Sequence, residues 1–253
     1  MAKTLDARLQ LAFTRRLVST KEGRAHVLAT VADAESSGEA QIFDRALARV
    51  DDPELQTLIK KHRADELRHE QLFRDRLAKT GATAAVPPEL RIIDRLNAAV
   101  GGLLDQPIAD DRGVMRAYLL LQVIEERAAL QFPVMAEALR PVDPGSSATF
   151  EAVLADERRH LKYCQAIARR YAPSEAERAA TLTEYRRIEA RAFKDNQLAT
   201  GAHVISSGLM GRGPAALAWR VLLSLSARRE PQPTSYAQTD LGATQGAPTE
   251  ARA

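Results

Sequence analysis

The sequence predicts an all-helical protein built around a four-helix bundle. Ala, Leu, Arg and Glu are abundant and aromatic residues make up only 5% of the 253 residues, a balance that favours helices because these side chains keep much of their rotamer freedom in a helical backbone. Apolar residues recur at helical spacing, and alternating β-branched runs are nearly absent. With 45% of its residues hydrophobic, the chain can bury a substantial core.

The first half of the chain reads as an N-terminal helix followed by a long helical hairpin. We predict helix A at about 22–50 and helix B at about 53–80. Asp52 and Pro53 supply the N-cap and the first-turn proline of helix B. Short connections of this kind join antiparallel neighbours, so A and B should pack side by side.

A second hairpin follows after a long crossover that carries its own apolar segment. The later segments are expected, in chain order, at about 90–104, 112–140 (helix C), 147–172 (helix D), 175–200 and 201–226. Ser174 and Glu177 form a capping box that opens the segment after helix D. We therefore predict a bundle of two antiparallel hairpins, A–B and C–D, joined by a long crossover, with extra helices at both ends.

The predicted domain organisation is one helical unit over residues 1–228, with its core at about 22–172. Residues 229–253 are rich in Pro, Gln, Thr and Gly, a composition that buries too little apolar surface to order itself, and we expect a disordered tail.

Composition excludes several classes of protein. A formal charge of +3 without a dense basic block gives little support to nucleic-acid binding. A single cysteine, Cys164, rules out an internal disulfide and a cysteine-based zinc site. No run of about 18 apolar residues predicts a membrane span, and the N-terminal stretch lacks a small-residue cleavage site. We expect a cytoplasmic protein.

One motif occurs twice and predicts a metal site. Helix B contains Asp65-Glu66-Leu67-Arg68-His69, and helix D contains Asp156-Glu157-Arg158-Arg159-His160. A Glu and a His three residues apart lie on one helical face, and in both helices that face continues into apolar residues. A carboxylate buried without a partner is costly, and a metal ion is one of the few partners that offsets the cost.

The other two helices can complete the site with one carboxylate each. Glu35 lies 31 residues before Glu66 and should face it across the A–B hairpin. Helix C offers Glu125 or Glu126; we favour Glu125 because a large apolar residue follows it seven positions later, and Glu126 stays open. Carboxylates with two imidazoles suit iron, with manganese as the alternative, better than zinc or copper.

Residues beside the ligands have expected roles too. Metal-bound histidines need an acceptor on the second ring nitrogen, and Asp65 and Asp156 are placed to accept from the histidine of the opposite helix. Arg68 and Arg159 can then neutralise the aspartates. We expect His62, also on the inward face of helix B, to be a core histidine or a neighbour of the ligands.

The repeated pattern, a Glu followed about thirty residues later by D-E-x-R-H, resembles that of oxygen-activating di-iron proteins of the ferritin-like class, among them hydrocarbon monooxygenases and acyl-carrier-protein desaturases. The resemblance spans about 140 residues, from Glu35 to the end of helix D. It implies six ligands, namely Glu35, Glu66, His69, Glu125, Glu157 and His160.

Shorter stretches resemble two families within this class. VDDPEL, DELRH, IEERAALQF and ARRYAP are similar to the tRNA hydroxylase that acts on methylthio-isopentenyl adenosine, and DERRHLKY is similar to aldehyde-deformylating oxygenase. The N-terminal helix and some 50 residues after position 175 depart from both families.

The expected function is therefore that of a monooxygenase in which two iron ions and O2 oxidise a C–H or N–H bond of a small-molecule or tRNA-borne substrate. No flavin, nicotinamide or iron–sulfur motif is present, so an external electron donor such as a ferredoxin is implied. The alternatives are a ferroxidase or peroxide-scavenging protein like ferritin or rubrerythrin, and a metal-free structural bundle.

One apolar segment stands outside this scheme. Residues 214–229 end in arginines and are too short to span a bilayer. The segment can pack on the bundle, or contact a membrane surface or a partner; a homodimer is one assembly compatible with the sequence.

Overall fold

The computed structural model describes residues 5–36, 39–211, 213–231 and 233, and only the backbone of residues 5–7, 39–40 and 215. All regular secondary structure in these ranges is helical, and they contain no strand. The predicted all-helical class is thus confirmed for the described part of the chain. From residue 234 onward, the predicted disordered tail lies outside the described residues.

The helices, in chain order, are α1 (Leu5–Val18), α2 (Lys21–Ser36), α3 (Glu39–Leu47), α4 (Pro53–Lys79), α5 (Ile92–Ala99), α6 (Asp111–Leu139), α7 (Pro144–Arg170), α8 (Glu175–Ser206) and α9 (Pro214–Ala227). A short 3-10 turn, Pro88–Leu90, precedes α5. Predicted helices B and C agree with α4 and α6 to within a residue. Predicted helix A corresponds to α2 and α3, and residues 37–38 between them lie outside the described residues.

Local capping explains where α4, α7 and α8 begin. The Asp52 side chain accepts from the backbone N–H groups of Glu54 and Leu55, and Ser174 accepts from that of Glu177, as the sequence predicted. The predicted start of helix D at 147 is wrong by three residues, because Asp143 caps α7 and Pro144 occupies its first turn.

Helix α8 continues beyond its predicted end near residue 200. Gly201, the first residue beyond the predicted end, lies inside the helix and is buried. A Cβ atom at this position would lie 2.8 Å from Leu223 Cδ1 of α9, so the glycine lets α9 approach α8 closely rather than ending the helix.

Four helices enclose the centre of the molecule. Helix α2 packs along α4 and α6 along α7, and the contact between α4 and α7 joins the two pairs. Helices α1 and α8 pack against α6. None of the described helices is long and apolar enough to cross a membrane.

The apolar core forms two clusters along these four helices. One contains Ile59, Tyr118 and Cys164, and the other contains Phe73, Phe132 and Phe150. On α4 and α6 a buried polar segment separates the members of the first cluster from those of the second, and on α7 Glu157 and His160 lie between Leu154 of the second cluster and Cys164 of the first. Ionisable side chains therefore interrupt the apolar core midway along these helices.

Candidate metal centre

Seven ionisable side chains meet in the layer between the two apolar clusters. They are Glu35 from α2, His62, Glu66 and His69 from α4, Glu125 from α6, and Glu157 and His160 from α7. The three histidine rings are fully enclosed, and the Glu35 side chain, the most accessible of the seven, is only 9% exposed. The structure thus brings all six sequence-predicted ligands together and adds His62.

The seven side chains form two groups of four that share Glu66. His62, Glu66, Glu125 and His160 make one group, and Glu35, Glu66, His69 and Glu157 make the other. Within each group the ligand atoms lie within 4.8 Å of one another. Each group can therefore hold a metal ion, and Glu66 can serve both.

Two histidines turn the same ring nitrogen toward the carboxylates. His69 Nδ1 lies 3.5 Å from Glu35 Oε2 and 3.4 Å from Glu157 Oε1. His160 Nδ1 lies 3.0 Å from Glu66 Oε1, 3.2 Å from Glu157 Oε2 and 3.7 Å from Glu125 Oε1. Glu157, like Glu66, therefore reaches both histidines.

His69 Nδ1 is placed where a metal ion could bind it. It is buried and accepts or donates no hydrogen bond of proper geometry within the described residues, although Glu35, Glu66 and Glu157 surround it. Buried polar atoms are normally hydrogen-bonded. A nitrogen lone pair aimed at a space ringed by carboxylate oxygens is what a metal ligand requires.

The opposite ring nitrogens are held by aspartates of the facing helix. His69 Nε2 lies 3.3 Å from Asp156 Oδ2, and His160 Nε2 lies 3.3 Å from Asp65 Oδ2. An Nε2–H that donates to a carboxylate leaves Nδ1 unprotonated for a metal and makes it more basic. The crossed arrangement, from each helix to the other, has the geometry expected from the sequence.

Two arginines tie the aspartates to each other. Arg68 donates to Asp156 and, at 3.0 Å, to Asp65 Oδ1; Arg159 donates to Asp65 Oδ2 at 2.6 Å and to Asp156 Oδ1 at 2.7 Å. Although burial opposes it, these bonds hold the pKa of both aspartic acids below its usual value. The aspartates stay ionised, and the network links α4 to α7 on the outer side of the histidines.

Burial and the repulsion between neighbouring glutamates make it unfavourable for all four carboxylates of the site to be ionised at once. Burial and the charge of a neighbouring glutamate raise the pKa of Glu35 and of Glu125 well above the usual value. Burial acts the same way on Glu66 and Glu157, but bonds to the surrounding side chains outweigh it and lower the pKa of Glu66 well below its usual value and that of Glu157 to about 2. Without a metal ion, protons must offset part of the negative charge.

The glutamates also change the pKa of His69 and of His160. Burial alone would lower their pKa, but the nearby glutamate carboxylates raise the pKa of His69 to about 12 and that of His160 to about 9. The site therefore stabilises positive charge at His69 and at His160, one in each group of four side chains. Divalent cations can take the place of these protons, since metal binding to such ligands releases protons.

Glu125 and Glu126 differ in the side chains that they contact. Glu125 faces the centre, with Oε1 2.8 Å from His62 Nε2. Glu126 is equally buried but points to α8, where Arg186 binds it at 2.8 and 2.5 Å. The structure thus places Glu125, the residue favoured from the sequence, in the candidate centre and Glu126 outside it.

His62 is closer to the ligands than its sequence position alone indicated. Its Nε2 lies 2.8 Å from Glu125 Oε1 and 3.2 Å from Glu66 Oε1, and its ring stacks on His160 at 3.9 Å between centroids. The available signal was its place one turn before Glu66 on the same face. We interpret its Nε2 as the donor that orients Glu125.

The donor set is made of carboxylates and imidazoles, with no thiolate among the seven side chains. Cys164 is buried in the apolar cluster beyond the site. Such a set accommodates hard or borderline divalent ions such as iron and manganese.

No family model matches the chain, and no curated protein and no solved structure matches it either.

Proposed function

We propose that the protein is a ferritin-like di-iron oxygenase, which reduces O2 and inserts one oxygen atom into an organic substrate. The observation that carries the proposal is the sharing of Glu66 between two four-membered groups of ligands. Two ions that share a ligand in this way would be able to act together on one O2 molecule. In this scheme α2–α4 and α6–α7 are the two hairpins of the four-helix bundle.

The ligands divide evenly between the two ions. Glu35 and His69 would hold one ion and Glu125 and His160 the other, while Glu66 and Glu157, which reach both histidines, would bridge them. Bound iron would supply the electrons for O2 reduction and the site of oxygen insertion. Manganese fits the same donors and is the alternative metal.

The chain's own residues orient the site and isolate it. Asp65 and Asp156 fix which nitrogen of His160 and His69 carries the proton, and Arg68 and Arg159 keep these aspartates ionised. The apolar clusters on both sides restrict water. A dry, preorganised site strengthens electrostatic interactions with the reacting groups.

The oxidation needs electrons that the chain does not supply. Conversion of a C–H or N–H bond and O2 to the hydroxylated product and water consumes two electrons and two protons. The sequence has no motif for a flavin, nicotinamide or iron–sulfur group. A separate donor such as a ferredoxin would deliver the electrons, and the substrate would be a small molecule or a tRNA-borne nucleoside.

Iron analysis with Mössbauer spectroscopy before and after O2 exposure tests the proposal. We expect two Fe(II) ions per chain, conversion by O2 to a coupled diferric centre, and repeated O2 uptake on re-reduction without release of iron. Iron accumulating far beyond two per chain, with a large hollow oligomer in light scattering, would indicate a ferritin-like storage role instead. Protein from iron-replete cells that contains no metal would support a structural bundle.

A further inference from the structure

An apolar stripe lies exposed on α9. Among the described residues the exposed large hydrophobic side chains are few, and most of them lie in nine residues of this helix: Leu217, Val221, Leu222 and Leu225, at 62%, 53%, 36% and 50% exposure. Leu217, Val221 and Leu225 are four residues apart and therefore form one row. A continuous row of this kind usually marks a binding surface.

The other side of α9 is anchored to the protein. The Trp219 ring meets Phe13 of α1 edge-to-face at 5.2 Å between centroids, and Leu223 packs into the space left by Gly201 of α8. Trp219 and Leu223 also join the apolar cluster that contains Phe73. The helix is thus fixed by one face and presents the row with the other.

The charged side chains within residues 214–229 are all arginines. Helix α9 contains no Asp or Glu, and Arg220 and Arg228 are exposed beside the row. Apolar side chains flanked by arginines are the combination that binds the headgroup region of anionic bilayers.

We propose that α9 docks the protein on an anionic phospholipid surface, with the helix lying flat and the row of Leu217, Val221 and Leu225 inserted between the headgroups. Fourteen residues of helix extend about 21 Å, which is too short to cross a hydrocarbon layer of about 30 Å. Docking of this kind places the protein on the surface and leaves the buried metal centre unchanged.

Two other occupants of the row, a second copy of the chain and the chain's own residues beyond 233, fit less well. A stripe about 21 Å long and about 10 Å wide buries roughly 200 Å² per copy, far below the roughly 800 Å² per partner of a stable interface. The chain beyond residue 233 offers only Tyr236 and Leu241 as large apolar side chains, too few to cover four. Lipid requires neither a matching shape nor a large area.

Vesicle flotation of the full chain tests the proposal. We expect binding to vesicles of phosphatidylglycerol and phosphatidylcholine, and little binding to phosphatidylcholine alone. Combining Leu217→Ser, Val221→Ser and Leu225→Ser should lower the bound fraction about tenfold. The matched control combines Leu67→Ser and Val142→Ser, which change the exposed large apolar residues outside α9 and should leave binding intact.

Further measurements separate the possible outcomes. Arg220→Gln with Arg228→Gln should weaken binding only to the anionic vesicles, and the emission of Trp219, the single tryptophan, should show that every variant keeps α9 packed. Absence of binding to anionic vesicles, or equal binding by the triple serine variant, would overturn the proposal. So would a dimer in light scattering that the serine substitutions abolish, since the row would then bind a second copy.

Discussion

Glu125 and Glu126 are consecutive residues of α6, yet their carboxylates lie in different environments. Glu125 Oε1 faces His62 and His160 in the centre, while Glu126 is held by Arg186 of α8. Helix geometry turns neighbouring side chains by about 100°, which is enough to separate a residue of the candidate metal centre from one that joins two helices.

This difference predicts unequal effects of two matched substitutions. Glu125→Gln should lower the iron content clearly below two per chain, because a ligand is lost. Glu126→Gln should keep two irons but destabilise the fold by about 1–3 kcal/mol, since Arg186, whose side chain is 26% exposed, loses a buried partner. Metal analysis and urea unfolding measure the two effects, and iron loss in Glu126→Gln alone would contradict the assignment.

The aspartates that hold the histidines should control iron affinity. Asp65→Asn and Asp156→Asn remove the charged acceptors for His160 Nε2 and His69 Nε2, and we expect each to weaken iron binding about tenfold to a hundredfold. Chelator competition measures the change. Asp44→Asn is the control, because Asp44 pairs with Arg63 on the surface; an equal effect there would argue against the role.

His62 should behave as a residue that orients Glu125. His62→Phe keeps the ring that packs on Phe43 and His160 but removes the bond to Glu125. Two irons should remain, with affinity lowered about tenfold or more. His26→Phe makes the same change at another buried histidine and should leave the affinity intact. An iron content below two in His62→Phe would identify His62 as a ligand.

His26 should make the metal-free protein sensitive to acid. Burial and the neighbouring His203 lower the pKa of His26 to about 4 from its usual 6.5. The unfolded chain therefore binds this proton more readily, so the stability contributed by His26 is complete above pH 6.5 and is lost as the pH falls toward 4. The full loss is at most about 3 kcal/mol.

Denaturant unfolding of the metal-free protein between pH 7 and pH 4 checks this sign. Wild type should lose more stability over that range than His26→Phe, which keeps a ring stacked near His203 but cannot be protonated. Parallel curves for the two proteins would show that His26 does not titrate in this way.

The sequence predicted the helices best where apolar spacing and capping agreed, as in α4. It missed the first turn of α7 although Asp143 and Pro144 repeat the pair that opens α4 at Asp52 and Pro53. It ended α8 early, just before Gly201, and glycine commonly follows the end of a helix. Whether such a glycine ends a helix or lets another helix pack closely depends on its contacts with distant residues, here with Leu223 of α9.

The site followed from the sequence because helical spacing determines which side chains share a face. That logic grouped Glu66 with His69 and Glu157 with His160. It could not decide between Glu125 and Glu126, since that depends on Arg186 of α8. It also could not place the ring of His62, whose orientation depends on Glu125 of a distant helix.

The shared position of Glu66 has a thermodynamic consequence. The four glutamates of the two groups carry four negative charges when ionised, and two divalent ions balance them in full. A chain holding a single ion would retain an excess of two negative charges in a buried layer, unless protons stay bound there, and such an excess is costly. Protons that stay on the histidines and on Glu35 or Glu125 supply this balance at partial loading, so each ion should release protons as it binds.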